Sequence, residues 1–239
     1  MSLVGIGRKF SYLLQRSVIL GRLAFRFSGL CKRVGSLFGY YDQRAVEYPW
    51  VLYQLKRFVP KGSRVLDVGC AESALCHELV ARGYEVWCVD INLPLFCPKS
   101  IKFVKADIRQ TNLPSNFFDA IIIVSVIEHV GLSVYGQEII EEDGDIKAME
   151  EVWRICKPGG YVILTTPFSG KEFILHPTER RYNMQRLKLL TKNFKHIVVQ
   201  FYMPKRRGKK LEWVEIPPEE AKYIRLEEPG IACLVLSKP

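Results

Sequence analysis

Short runs of β-branched and apolar residues recur at near-regular intervals through the middle of the chain. They are RVLDV (64–68), EVWCVD (85–90), IKFVKAD (101–107), DAIIIVSVI (119–127) and YVILTT (161–166). Continuous apolar runs of this length suit strands buried on both faces. Helix-like stretches fall between them. SALCHELVARG (73–83) has Ser73 as a candidate N-cap and Gly83 just past its end. DIKAMEEVWRICKPGG spaces Ile146, Met149, Val152, Trp153 and Cys156 along one face, with Asp145 as a candidate cap and Pro158-Gly159-Gly160 as the stop. Strands alternating with helices require a mostly parallel sheet with right-handed crossovers. Beyond residue 170 the spacing predicts a helix around MQRLKLLTKNF and two further strands, HIVVQFYM (196–203) and IACLVLSK (231–238). A polar insertion containing PKRRGKKLEW separates those two strands, which read as an antiparallel edge pair. The expected fold is therefore α/β: a doubly wound, mostly parallel seven-stranded sheet with an antiparallel last strand and helices on both faces.

Composition sets the outer bounds. Apolar residues at 48% and charged residues at 25% are those of an ordinary folded protein. The longest apolar run, AIIIVSVI at 120–127, falls well short of the roughly 18 residues of a membrane-spanning helix. Charge is unevenly placed. Residues 1–41 hold Arg8, Lys9, Arg16, Arg22, Arg26, Lys32 and Arg33 and no acid, against a net +10 for the whole chain. This segment reads as a basic, apolar, helical arm, and residues 42–239 as the catalytic domain, with acceptor-side elements at about 171–195 and 204–230. Three readings of the arm stand: an anionic membrane surface, packing against the core, or a transit-type presequence. The expected location is cytoplasmic, peripheral to a membrane on the first of these readings. With seven of the ten net charges in the arm, nucleic acid is not the favoured partner. Seven scattered cysteines include no C-x-x-C pair and no histidine at finger-like spacing, which argues against zinc, and no metal site is expected.

In a doubly wound sheet, ligands sit at the carboxyl ends of the strands near the switch point. Those ends carry Asp67 to Gly69, Asp90, Asp107 and Ser125 to His129. Gly69 permits close backbone approach, and the following helix points its positive end there. Asp90, 21 residues after Gly69, stands where a ribose-binding acid belongs. Cys70, Ala71 and Ser73 replace most of the glycines a pyrophosphate requires, which favours a ligand without phosphates. Asp67 is placed to hold the amino-acid end of such a ligand, and Asp107 to accept from an adenine amino group. Ile91 and Ile108 adjoin these acids, and Ser125 closes the fourth strand.

VLDVGCAES, VDIN and KADI resemble the glycine loop, ribose acid and adenine contact of class I S-adenosylmethionine-dependent methyltransferases. FDAIIIVSVIEHV and KAMEEVWRICKPGGYVILTTPF resemble their fourth strand, helix and fifth strand, so the likeness runs from about 60 to 170. It implies S-adenosyl-L-methionine as cofactor, held by Asp67, Gly69, Cys70, Ala71, Asp90, Ile91, Asp107, Ile108 and Ser125. Arg44 and Tyr48, in RAVEYPWV, join this set where a lid or carboxylate-binding arginine is common.

Glu128 and His129 are the candidate catalytic residues, lying where an acceptor would meet the methyl group; His129 is a candidate base, because an unperturbed imidazole changes charge near neutral pH. His176, Arg180, Arg181 and Tyr182 are candidates for the acceptor wall. No N/D-P-P-Y or Pro-Cys signature of DNA-base methylation is present. The leading acceptor is a hydroxyl or amine of a small molecule, sugar or lipid. An RNA or protein methyltransferase, a non-catalytic module with a decayed loop, and a nicotinamide dehydrogenase are the alternatives.

Overall fold

The computed structural model describes residues 43–239 apart from 72, 95–96, 133–134, 136–139, 176–178, 208–209, 227 and 229. The basic arm and His176 lie outside the described residues. The domain begins with α1 (Arg44–Phe58), followed by β1 (Arg64–Val68), α2 (Leu75–Ala81), β2 (Glu85–Asp90), β3 (Lys102–Lys105) and β4 (Phe118–Val124). A single 3₁₀ turn (Ile127–His129) leads to α3 (Gly144–Ile155) and β5 (Cys156–Phe168). Then come a two-stranded ribbon, β6 (Phe173–Leu175) and β7 (Glu179–Arg181), and α4 (Met184–Leu190). β8 (Lys195–Arg207), β9 (Lys210–Ile216), α5 (Pro218–Ala221) and β10 (Gly230–Ser237) complete the chain.

The main sheet has eight strands in the order β3-β2-β1-β4-β5-β10-β8-β9. β1 pairs parallel with both β2 and β4, so successive strands leave β1 in opposite directions and a switch point opens between β1 and β4. β10 inserts antiparallel between β5 and β8. The expected mostly parallel sheet is present, with one strand more than the expected seven. The added strand is β9, which lies inside the segment that sequence reading treats as a polar insertion. It pairs antiparallel with β8 at the sheet edge, so the edge pair is β8–β9 and not β8–β10. A polar sequence suits an edge strand, because an edge exposes unpaired backbone and charge there discourages further pairing.

The two-residue period of the strands divides the core. Val65, Val86, Ala120, Ile122 and Ile163 face α1 and α2, packing on Trp50, Val51, Leu55, Leu75 and Leu79. Leu66, Val89, Ile121, Ile123, Val162 and Leu164 face the other way, against α3, α4 and α5. Helices thus cover both faces. α1 was not foreseen as a helix, since Pro49 lies inside it.

Two expected caps are displaced. Ala74 holds the cap position of α2, while Ser73 Oγ accepts from the Leu75 amide at 3.0 Å. Asp145 is the second residue of α3 and is almost fully buried. Its carboxylate accepts from Arg186 Nη2 at 2.5 Å and from Tyr182 Oη at 3.0 Å, with Arg180 Nε at 3.6 Å. Tertiary charge pairing overrides the local cap here. Trp153, expected on the buried face of α3, is 39% exposed, and Lys238 Nζ lies 3.8 Å from its ring centre.

Removing one partner of a buried ion pair typically costs about 3–5 kcal/mol, because the other charge stays buried and uncompensated. Asp145→Ala is predicted to lower unfolding free energy by that amount in denaturant titration. Glu150→Ala, on the same helix in an exposed pair with Lys192, should stay within about 0.5 kcal/mol.

Candidate active site

The carboxyl ends of β1, β2, β3 and β4 meet on one rim of the sheet. The chain leaves β1 at Gly69, whose φ of +77° is a left-handed conformation that glycine adopts freely. A β carbon at this position would also overlap the Val126 side chain. The glycine is therefore required by the fold as well as by any ligand. The Gly69 amide donates to Val89 O at 2.9 Å, and the Ala71 amide donates to Asp90 Oδ2 at 2.9 Å. Asp90 Oδ1 accepts from the Asn92 amide at 2.8 Å. One carboxylate thus fixes the loops after β1 and β2 against each other. Carboxylate oxygens have further lone pairs, so ribose hydroxyls can still donate to it.

Asp107 joins the rim through the Ala106 amide, which donates to Asp90 O at 3.0 Å. Its own carboxylate is gripped by Arg109, with Nη2 at 2.6 Å from Oδ2. Burial opposes its charge, yet the Arg109 side chain and amide outweigh burial and hold this carboxyl below its usual range. An adenine amino group would share Asp107 with Arg109, a partner that sequence reading did not identify. Ile108 and Cys70 are buried beside these acids, and Ile91 is half-buried.

Asp67 is 2% exposed, and its Oδ2 has no hydrogen-bond partner among the described residues. Burial pushes its carboxyl well above the ordinary range, Cys76 and Asp90 push the same way, and Arg44 opposes them. A buried carboxylate oxygen without a donor is costly. The ammonium end of S-adenosylmethionine would supply the donor.

α1 reaches the same rim. Glu47 is fully buried, and its Oε1 accepts from Thr165 Oγ1 at 2.8 Å and from Ser125 Oγ. Its Oε2 accepts from Arg44 Nη1 at 3.0 Å, and the same nitrogen donates to Val124 O at 2.9 Å. Ser125 sits at φ +48°, a strained conformation for a residue with a β carbon. Tyr48 Oη lies 3.1 Å from Ser73 Oγ and ties α1 to the loop after β1. Arg44, Tyr48 and Ser125 are therefore gathered as expected at the ends of β1 and β4. Glu47, the residue that joins them, was missed, although it stands in the same RAVEYPWV stretch.

Glu128 and His129 occupy the 3₁₀ turn after β4. Glu128 is 2% exposed, with Thr166 Oγ1 at 3.4 Å from Oε2 and His129 Nε2 at 3.8 Å from Oε1. Burial raises its carboxyl well above the usual range; Glu47 and Glu179 add to the rise and Arg44 opposes it. The His129 ring is partly exposed and meets Tyr135 edge-on at 5.3 Å. One buried acid and one accessible imidazole can hold and move a proton at this end of the sheet.

Arg180, Arg181 and Tyr182 are buried and engaged within the fold. Arg180 Nη1 donates to Glu172 Oε1 at 2.6 Å, Arg181 Nη1 donates to Glu228 O at 2.9 Å, and Tyr182 Oη donates to Asp145. These contacts brace the ribbon.

The methyltransferase-domain family model matches residues 66–164. An uncharacterized methyltransferase of Mycobacterium tuberculosis is 34% identical over 84 residues, a stretch covering 32% of this chain and 43% of the relative. The tRNA (carboxymethyluridine(34)-5-O)-methyltransferase of Arabidopsis thaliana is 33% identical over 112 residues, covering 45% of this chain and 24% of that enzyme. The chain thus spans less than half the length of either relative. Among solved structures, the Burkholderia thailandensis 1,6-didemethyltoxoflavin-N1-methyltransferase, with S-adenosylhomocysteine bound, shares the fold. It has a TM-score of 0.58, 14% identity, and coverage of 89% of each chain.

A carboxyl whose folded pKa is raised binds more protons folded than unfolded, so stability falls as pH climbs through the unfolded value of about 4.3. Glu128→Gln removes that penalty. The variant's stability advantage over the unsubstituted chain is predicted to grow as pH rises above about 4.3; a gap that stays flat would contradict the buried, proton-holding carboxyl.

With the glycine turn, the rim acids and the eight-stranded sheet in place, residues 66–164 match the methyltransferase-domain family on a fold shared with solved S-adenosylmethionine-dependent methyltransferases.

Proposed function

We propose that this domain transfers the methyl group of S-adenosylmethionine to a hydroxyl or amine of a small-molecule, sugar or lipid-type acceptor. The observation that carries the reading is the convergence of Asp67, Asp90 and Asp107 on one rim, with Asp90 bonded to the Ala71 amide at 2.9 Å. Three acids suit a cofactor carrying a sulfonium and an ammonium and no phosphate. The orphaned Oδ2 of Asp67 supports the same fit.

When bound, the cofactor supplies a methyl group already activated on sulfonium sulfur, so the protein's contribution is alignment and proton handling. Asp67 and Arg44 would hold the amino and carboxylate ends, Asp90 the ribose hydroxyls, and Asp107 the adenine. Gly69, Cys70 and Ala71 line the turn, with Ile91, Ile108 and Ser125 along the rim and Tyr48 steadying the loop. His129, on the accessible side of the 3₁₀ turn, takes the acceptor proton. Glu128 lies beside it, with Oε1 3.8 Å from His129 Nε2.

A second reading, methylation of RNA, is favoured by the similarity to the plant tRNA methyltransferase and by the basic residues of 1–41. The proposed location is cytoplasmic, with that arm at an anionic membrane surface. No helix among the described residues is long and apolar enough to cross a membrane.

The test follows methyl-labelled cofactor into fractions of small metabolites, lipids and RNA. Label in a small-molecule or lipid fraction supports the first reading. Label in RNA alone, with binding that weakens steeply as salt rises, would replace it with the second. On either acceptor, Asp90→Ala is predicted to abolish or greatly weaken cofactor binding with the fold intact. His129→Ala should lower turnover at least about 100-fold with cofactor affinity little changed. Equal losses in both would make His129 a binding residue.

A further inference from the structure

Beneath the loop that follows β1, three side chains of an unusual kind meet. The β1–β2 register sets Asp67 directly opposite Cys88. Both point towards α2, whose first turn presents Cys76. Asp67, Cys70, Cys76 and Cys88 are all buried, and they are free of disulfides. One ligand atom from each of Asp67, Cys76 and Cys88 lies within 4.8 Å of the other two. Atoms held about 2.0–2.3 Å from a common tetrahedral centre sit within about 4 Å of one another, so this trio needs only a small contraction.

The methyl-transfer reading gives Cys76 and Cys88 no task. Packing alone does not explain the cluster either, since a carboxylate with an unpartnered buried oxygen is a poor neighbour for two sulfurs unless a cation joins them. We propose that Asp67, Cys76 and Cys88 form a buried site for a thiophilic divalent cation of the zinc class. The donor set, two thiolates and one carboxylate, is that of zinc or cadmium and not of magnesium or calcium. Cysteine spacing in the sequence argues against zinc because the ligands arrive from two strands and a helix, not from a C-x-x-C turn. Asp67 also faces the proposed cofactor, so the cation would lie immediately below the methyl-donor site and brace the loop from within.

The experiment uses the full chain, reduced, stripped with chelator and titrated with Co²⁺ and then with competing Zn²⁺. The expected result is one equivalent of tetrahedral Co²⁺ with thiolate charge-transfer absorption, displaced by Zn²⁺. Losing an outer-shell partner of a bound metal typically costs about 10–100-fold in affinity, and a lost ligand costs at least as much. Cys76→Ser and Cys88→Ser should therefore each weaken binding at least about tenfold, whereas Cys97→Ser should leave it unchanged. Absence of the thiolate band, or its survival in both cluster variants, would overturn the proposal. If the serine variants do not fold, the Cys31→Ser/Cys97→Ser protein decides, because its cluster is intact. Retention of the full band there supports the site, and loss of the band overturns it.

Discussion

The turn at Gly69 is the constraint on which the site depends. The backbone must take a left-handed step there, and Val126 fills the space a side chain would need. That close approach joins the end of β1 to the segment that follows β4, the two strands between which the sheet divides. Once the turn is fixed, the Ala71 amide can reach Asp90, and Asp67 is left facing inward. The positions of three cofactor candidates follow from a single steric demand.

Charge is arranged around this turn in a way that needs compensation. Glu47, Asp67 and Glu128 are all buried close to the ends of β1 and β4. Arg44 is the cation that opposes the raised carboxyls of Asp67 and Glu128, and it also bonds Glu47 directly. α1 thus does more than cover one face of the sheet. It brings a guanidinium to a strand end crowded with acids and locks Ser125 and Thr165 through Glu47. A cationic cofactor bound to such a rim would relieve the same excess of negative charge, which couples cofactor affinity to the packing of α1.

Much of the fold was legible because buried strands are written in apolar, β-branched residues. β1 and β2 have the bounds their sequences imply, and α2 and α3 follow from periodicity, although α3 stops at Ile155, and Cys156, expected on its face, and Pro158-Gly159-Gly160, expected as its stop, lie in β5. What was hidden depends on tertiary partners. β9 is polar because it lies at an edge, so its sequence reads as a loop. α1 carries Pro49, which weakens a local helix signal that packing against the sheet restores. Asp145 resembles a cap until Arg186, Arg180 and Tyr182 are brought to it. In the site, Asp67, Asp90 and Asp107 were visible from their places at strand ends. The roles of Glu47 and Arg109 were not, since they emerge only where separate segments meet, as does the gathering of Cys76 and Cys88 beside Asp67.

Calorimetric titration of the purified chain with S-adenosylmethionine, S-adenosylhomocysteine and NAD in parallel tests the central claim most directly. A rim of three acids, with a glycine turn that lacks the further glycines of a pyrophosphate loop, should bind the first two at micromolar concentrations and NAD not at all. Binding of NAD, or of none of the three, would contradict the assignment of this rim as a methyl-donor site.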